Sequence, residues 1–198
     1  GHVKINIKPI DYSIKTEDLP KSTKRYDGFE FINSLKGGAI PQEFVPAVEK
    51  GLREAMDRGA VAGFKLVDVS CEVYDGSFHD VDSSEIAFKL AAGMALSDAL
   101  AKAKPVILEP IMKVEIVTPD KFYGDITGNL SSKRGQIEGM DERGMDKVVK
   151  AMVPLSEMFG YVNSLRSMTE GRATFTIEFR RYDVVPANIA KEIAENKK

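Results

Sequence analysis

The sequence predicts an α+β protein with two domains, and three observations support this fold class. The chain has 198 residues, the length of one large or two small domains. Lys104-Pro105 interrupts a helical pattern, and a different succession of elements follows it. Those later elements run strand, helix, strand, strand, helix, strand, which is the split βαβ, ferredoxin-like order. We therefore expect one domain over residues 1–104 and another over residues 105–198.

The first domain is expected to open with a strand, because apolar and polar residues alternate over residues 2–8. Residues 9–27 mix Pro, Ser, Thr and charge without an apolar period, which is typical of a long connection or a ragged edge hairpin. A short strand follows at residues 29–32. A helix is then expected from Pro41, at its first position, to about Arg58. Its buried stripe is predicted to consist of Val45, Val48, Leu52, Ala55 and Met56.

A buried strand is predicted at residues 65–74, with Cys71 as a core thiol. Residues 75–81 follow as a tight loop. The sequence DSSE at residues 82–85 resembles a capping box and predicts a helix from Ser83 to about Ala103. The apolar face of that helix is assigned to Ile86, Leu90, Met94 and Ala101, with Phe88 and Leu100 nearby.

The second domain is predicted from the same kinds of pattern. Its expected elements are a strand at 111–117, a helix capped by Thr118-Pro119-Asp120 that buries Phe122, Ile126 and Leu130, strands at 135–140 and 147–153, a helix from Ser156 to about Thr169 ended by Gly171, a strand at 173–181 and a tail helix from about residue 186.

The charge balance excludes binding to nucleic acid by phosphate neutralisation alone. Residues 1–104 contain 14 Lys and Arg against 16 Asp and Glu, and residues 105–198 contain 14 of each, giving the 28 and 30 of the whole chain. A protein that relies on phosphate contacts usually has a net positive face. The local exceptions are Lys133-Arg134 and Arg180-Arg181, which are the residues of ordinary solvated surface pairs in most proteins.

The cysteine and histidine counts exclude an internal disulfide and a zinc site of the Cys/His kind, because the chain has only Cys71, His2 and His79. A reducing, cytoplasmic location fits best. No apolar run approaches the roughly 20 residues that span a bilayer, so no membrane partner is expected. Residue 1 already lies within an alternating pattern, which indicates an excised fragment.

Nucleotide-binding motifs are absent from the sequence. A phosphate-binding loop needs Gly-Lys-Ser/Thr, and the chain has no Gly-Lys dipeptide. It has no Gly-x-Gly-x-x-Gly either, so a dinucleotide site has no support.

One polar cluster, formed by Asp75, His79, Asp80 and Asp82, invites three interpretations. Asp80 and His79 could act as a general acid and base, although no nucleophile motif accompanies them. The carboxylates could bind a divalent metal, although the spacing lacks the alternation and turn glycine of an EF-hand. The third interpretation, favoured by the residue types, is that Asp82 caps the helix, Asp75-Gly76 makes the turn, and Phe78 and His79 are exposed for contact with a partner.

Several segments resemble the C-terminal part of bacterial elongation factor G, a GTPase that moves tRNA and mRNA on the ribosome. The resemblance covers nearly the whole chain in order. It is carried by residues 37–48 (GGAIPQEFVPAV), 74–88 (YDGSFHDVDSSEIAF), 108–114 (LEPIMKV), 124–135 (GDITGNLSSKRG) and 153–172 (VPLSEMFGYVNSLRSMTEGR).

The resemblance implies that residues 1–104 correspond to domain IV, an elongated ribosomal-protein-like ββαβ domain, and residues 105–198 to the ferredoxin-like domain V. It implies that residues 75–82 form a tip loop that meets tRNA and mRNA in the decoding centre. The implied contact residues are Gly76, Ser77, Phe78, His79 and Asp80, with His79 central and no proton transfer. In domain V, the implied contacts with the ribosome are Arg134, Arg166 and Arg172. An equally good explanation of Arg166 and Arg172 is that each forms a surface ion pair that holds a helix and a strand in place.

The implied partners are the ribosome with its rRNA and ribosomal proteins, tRNA, mRNA and ribosome recycling factor, and the implied state is a monomer. GTP and magnesium belong to the family's GTPase domain, so this chain is expected to bind and hydrolyse no GTP. The family's second, glycine-rich tip loop precedes the Gly-His-Val that opens the chain. Residues 9–27 carry none of the motifs on which the resemblance rests, which leaves open a paralogue acting in ribosome recycling or ribosome protection. A small free-standing enzyme using His79 and Asp80 is the third hypothesis.

Overall fold

The computed structural model describes residues 1–81 and 83–196, and these divide into two compact units. One comprises Gly1–Val106 and the residues from Ala190 onward, and the other comprises Ile107–Ile189. Each unit has its own four-stranded sheet and its own hydrophobic core. The predicted α+β class is confirmed. In the described part of the chain, no helix is both long and apolar enough to cross a bilayer.

The first unit combines one sheet with two helices. Its elements are β1 (His2–Pro9), β2 (Thr23–Tyr26), β3 (Phe29–Asn33), α1 (Val45–Arg58), β4 (Val69–Ser77) and α2 (Glu85–Ala103). The strand order is β1-β4-β3-β2, with β3 parallel to β4 and the other neighbours antiparallel. The edge hairpin, one of the two structures expected for residues 9–27, is therefore present as β2 paired with β3.

The stripe predicted for α1 is confirmed, since all five of its residues are buried. The predicted start at Pro41 is wrong. Pro41 precedes a turn of 3-10 helix at Gln42–Phe44, and Pro46 lies in the first positions of the α-helix. The two helices of the unit pack with their backbones in contact: a β-carbon at Gly51 of α1 would lie 2.2 Å from the carbonyl oxygen of Lys89 in α2.

The face predicted to be buried in α2 is wrong. Ile86, Leu90 and Met94 are 62–71% exposed, and Ala101 is exposed as well. The buried side chains are Phe88 and Leu100, which the prediction named beside that face, together with Ala92 and Leu96. This helix carries apolar residues on all of its sides, so the periodicity of its sequence does not predict which face is buried. The buried face is determined by packing. On that face small residues allow α1 to approach closely, and the ring of Phe88 stacks on that of Phe44, with centroids 4.9 Å apart.

A buried ion pair fastens the loop before β2 to the sheet. Glu30 of β3 is 5% exposed and accepts hydrogen bonds from Arg25 Nε at 2.8 Å and from Ser70 Oγ at 2.8 Å. Nη1 of the same guanidinium donates to the carbonyl oxygen of Ile14 at 2.6 Å, and Nη2 donates both to Glu30 and to the carbonyl oxygen of Asp11 at 3.2 Å. One guanidinium therefore joins β2, β3 and the preceding loop.

The second unit has the predicted ferredoxin-like order. Its elements are β5 (Leu108–Pro119), α3 (Tyr123–Ser132), β6 (Gln136–Arg143), β7 (Asp146–Pro154), α4 (Tyr161–Thr169) and β8 (Thr174–Val184). The expected tail helix, α5 (Ala187–Asn196), follows in the chain and extends past Ile189, where the second unit ends. The antiparallel sheet runs β6-β7-β5-β8. Phe122, Ile126 and Leu130 are buried beside it, as predicted.

Two predicted element starts are wrong, and in each case a residue with positive φ explains the difference. The strand expected from residue 65 begins at Val69, because Asp68 has φ +60° and interrupts the extended chain. The helix expected from Ser156 begins at Tyr161, because Gly160 has φ +72° and separates it from a 3-10 turn at Leu155–Glu157. Gly171 follows the end of this helix as predicted, and its N–H donates to the Arg166 carbonyl oxygen at 3.0 Å.

Candidate functional site

The candidate site lies where β1 begins and β4, its antiparallel partner, ends. His2 pairs with Ser77, Val3 with Gly76 and Lys4 with Asp75 in an antiparallel register. The predicted loop at residues 75–82 is therefore too long, because its first three residues continue β4. From Ser77 to Val81 every residue is exposed, and Val81 is 92% exposed. We call this exposed segment, residues 77–81, the tip.

Gly76 allows the strands to approach each other immediately before the tip. A β-carbon on Gly76 would lie 2.5 Å from the carbonyl oxygen of His2 and 2.6 Å from Cδ1 of Ile40. Ile40 is 1% exposed, so its side chain has little room to move away. Gly76 is thus a packing residue at the base of the tip, with backbone on one side and the core on the other.

Asp75 is the last charged residue before the tip, and its carboxylate is occupied. It accepts a hydrogen bond from Lys4 Nζ at 2.7 Å and another from the Gly76 backbone N–H at 2.8 Å. These two bonds, the first above all, lower the pKa of Asp75 below its usual value. The same contact raises the pKa of Lys4. Asp75 therefore does not form the turn suggested by the sequence.

Ser83 attaches the tip to the start of α2, and Ser84 caps that helix. The backbone N–H of His79 donates to Ser83 Oγ at 3.0 Å. Ser84 is the helix cap, since its Oγ accepts from the Ala87 N–H at 3.1 Å, and α2 begins at Glu85. The capping role predicted for Asp82 concerns a residue outside those described.

His79 has no side-chain partner for acid–base chemistry among the described residues. His79 and Asp80 are exposed, and neither side chain makes a hydrogen bond or ion pair with another described residue. Asp75 is held on the strand pair by Lys4, so the described members of the polar cluster do not converge. Within residues 1–81 and 83–196, no three His, Cys, Asp or Glu side chains are arranged to hold a metal ion. The arrangement is suited to surface contact.

The three arginines of the second unit differ in their surroundings. Arg134 forms a two-bond ion pair with Glu109, with one bond of 3.1 Å from Nη1, and this contact raises the pKa of Arg134. Arg166, on α4, and Arg172, just before β8, are exposed. Their guanidinium groups pair with no described carboxylate. Surface pairing, the alternative explanation of Arg166 and Arg172, is therefore not seen among the described residues.

Two residues that sequence reasoning did not assign to the site lie beside it. His2 is exposed and directly opposite Ser77, so both histidines of the chain are at the same end of the first unit. Lys4 follows two positions later and therefore lies on the same face of β1. The alternation in residues 2–8 places His2 and Lys4 on one face of β1. Only the pairing with β4, some seventy residues later in the chain, shows that this face lies beside the tip.

Comparison with known families agrees with this architecture. A family model described as elongation factor G, domain IV, matches residues 2–104, and a model described as elongation factor G C-terminus matches residues 106–193. Two such domains in this order define a chain of the translation elongation factor class. This chain belongs to the elongation factor G family.

A solved structure gives independent support. The chain is similar to a protein from Thermus thermophilus known from a crystal structure, with a TM-score of 0.77 and 32% sequence identity. The match covers 100% of this chain and 30% of the Thermus chain. This chain thus spans less than a third of the length of the protein that it resembles.

Proposed function

We propose that this chain is the tip-bearing part of a cytoplasmic translational GTPase that promotes movement of tRNA and mRNA on the ribosome. The match of consecutive domain IV and C-terminal family models over almost the whole chain carries this proposal. The similarity to less than a third of a longer chain supports a role as one part of a larger factor. In this proposal GTP and magnesium bind elsewhere in that factor, and these residues hydrolyse no GTP.

The tip is the proposed contact with tRNA and mRNA. Residues 77–81 are exposed at the end of the β1–β4 strand pair, and Gly76 and Asp75 lie immediately before them. A tip that inserts between RNA partners works by shape and a few hydrogen bonds, so the slightly acidic charge balance of the chain is compatible with it. His79 supplies an imidazole with two ring nitrogens for such bonds.

The second unit is proposed to contact rRNA and ribosomal proteins through Arg166 and Arg172. Both guanidinium groups are exposed and unpaired among the described residues, so contact with phosphate breaks no existing ion pair. Arg134 is a weaker proposal, because binding of phosphate there competes with the two bonds to Glu109.

Directed hydroxyl-radical probing tests the placement of the tip on the ribosome. A Ser77→Cys variant carries an iron chelate on the tip, whereas the native Cys71 is fully buried and stays unlabelled. We expect cleavage of rRNA at the decoding centre and of the tRNA anticodon arm. Met145→Cys, 96% exposed in the second unit, is the matched control and should cleave elsewhere. Identical cleavage patterns from the two positions, or none, contradict the proposal.

Ribosome recycling or protection is the alternative task, which residues 9–27 leave open. They carry none of the motifs on which the resemblance rests, and in the structure they are fastened to the sheet through Arg25 and Glu30. A recycling factor of this kind requires ribosome recycling factor for activity and splits ribosomes without moving the mRNA. A toeprinting assay of mRNA movement therefore distinguishes the two tasks.

A further inference from the structure

The ion pair behind the tip carries an inference about how the tip binds, which rests on the function proposed above. We propose that Asp75 is an internal counterion that holds the ammonium group of Lys4 until the tip meets RNA, where a backbone phosphate replaces the carboxylate. Lys4 is then a phosphate-binding residue, and Asp75 regulates its availability.

The geometry of the pair suits such an exchange. Lys4 Nζ lies 2.7 Å from Asp75 Oδ2, and the two side chains are 45% and 42% exposed. The residues are register partners, so they lie on the same face of the strand pair as His2 and Ser77. RNA that contacts the exposed Ser77 therefore approaches this face, within reach of a lysine side chain.

The charge distribution makes Lys4 the relevant cation. In the two strand segments that carry the tip, residues 1–7 and 74–81, Lys4 is the only lysine or arginine in the sequence. The acidic residues of the same segments are Asp75, bound to Lys4, and Asp80, exposed on the tip. While Asp75 neutralises Lys4, these two segments present no unpaired lysine or arginine to RNA. Release of Lys4 supplies one.

The exchange is energetically undemanding. An exposed ion pair contributes little to stability, because water and salt screen it. A phosphate oxygen is as good an acceptor for an ammonium group as a carboxylate oxygen. The four-carbon stem of lysine turns freely, whereas Asp75 remains fixed by its bond from the Gly76 N–H at 2.8 Å. Movement of one side chain is sufficient.

Salt-dependent binding of the full chain to ribosomes carrying tRNA and mRNA tests the inference. Asp75→Asn removes the counterion, so Lys4 is free before binding. We expect affinity at about 50 mM salt to rise severalfold, and the slope of log affinity against log salt to steepen by roughly 0.7 to 0.9, the value of one extra phosphate contact. In a Lys4→Gln background the same Asp75→Asn change should leave the slope unaltered.

The control is Glu54→Gln, which removes the carboxylate of a similarly exposed ion pair with Lys89 at 2.8 Å, on the helices of the same unit. It should change neither affinity nor slope. If Asp75→Asn raises the affinity equally in the wild-type and Lys4→Gln backgrounds, the carboxylate merely repels RNA, and the inference is overturned. Weaker binding by Asp75→Asn at an unchanged slope assigns the pair a purely structural role and also overturns it.

Failure of the proposed function has a different signature. If the wild-type chain does not bind ribosomes, or binds equally well with His79→Ala, the proposed tip contact is wrong and the exchange at Lys4 falls with it. If binding depends on His79, but Asp75→Asn has no effect that requires Lys4, the proposed function stands and only the exchange is overturned.

Discussion

The backbone of Gly76 lies against the carbonyl oxygen of His2, so that a β-carbon added to Gly76 would stand 2.5 Å from that oxygen. This contact brings the ends of β1 and β4 together immediately behind the tip. It also explains why the tip is presented by a strand pair and not by a long flexible loop, since pairing continues to His2 and Ser77.

Substitution of Gly76 by alanine is expected to destabilise the first unit by about 1 to 3 kcal/mol, because the new methyl group collides with backbone and with the buried Ile40. Urea unfolding of the full chain measures the change. Gly139→Ala is the matched control: Gly139 also lies in a strand, and nothing stands within 4 Å of its added β-carbon. Equal stability of the two variants contradicts the packing role of Gly76.

The Arg25–Glu30 pair is expected to be important for stability. Both side chains are less than a tenth exposed, so Glu30→Ala leaves a buried guanidinium without its carboxylate. The expected loss of unfolding free energy is about 3 to 5 kcal/mol. Glu17→Ala removes a carboxylate from the exposed Lys15–Glu17 pair and should cost less than about 0.5 kcal/mol. Chemical unfolding of both variants makes the comparison, and a small loss for Glu30→Ala refutes the prediction.

Stability is expected to decline in alkali because of Cys71. Burial raises the pKa of this thiol from 9.0 to about 12, so above pH 9 the unfolded chain releases a proton that the folded chain keeps. The contribution is constant below pH 9 and decreases by about 1.4 kcal/mol per pH unit between 9 and 12. Cys71→Ala, unfolded in urea at several pH values, should show a shallower decline. An unchanged slope contradicts the assignment.

The arginines of the second unit give a prediction about binding. Arg166→Ala and Arg172→Ala should each weaken ribosome binding severalfold and reduce the salt slope by roughly one. Arg143→Ala provides the comparison, because this exposed arginine is already paired with Glu115 at 2.9 Å. Equilibrium binding of each variant over a salt series is the measurement. If all three variants behave alike, the free guanidinium groups are not contacts.

Most of the fold could be predicted from the sequence because its patterns are local. The stripe of α1 follows a single periodicity, and the order of elements in the second unit follows from clear breaks between them. The face of α2 could not be predicted, because Ile86 and Phe88 are equally apolar and only packing against Phe44 distinguishes them.

The site was predicted less completely, because its structure depends on distant residues. The segment DGSFHDV contains nothing to indicate that Asp75 pairs with Lys4 and Gly76 with Val3. Burial of Glu30 was also missed, since a glutamate is ordinarily exposed and its partner Arg25 lies across a hairpin. The family resemblance predicted a role for His79, which is exposed, whereas pairing of the strands was needed to place His2 and Lys4 beside it.

We propose that the tip promotes translocation, and the rate of mRNA movement in a factor carrying His79→Ala tests this role most directly. Loss of a contact worth about 1.4 kcal/mol slows translocation about tenfold. Ribosome-stimulated GTP hydrolysis should be nearly unchanged, and Met145→Ala, at an exposed site outside the tip, should affect neither rate. His79→Lys should resemble His79→Ala. A wild-type translocation rate in both His79 variants would contradict the account.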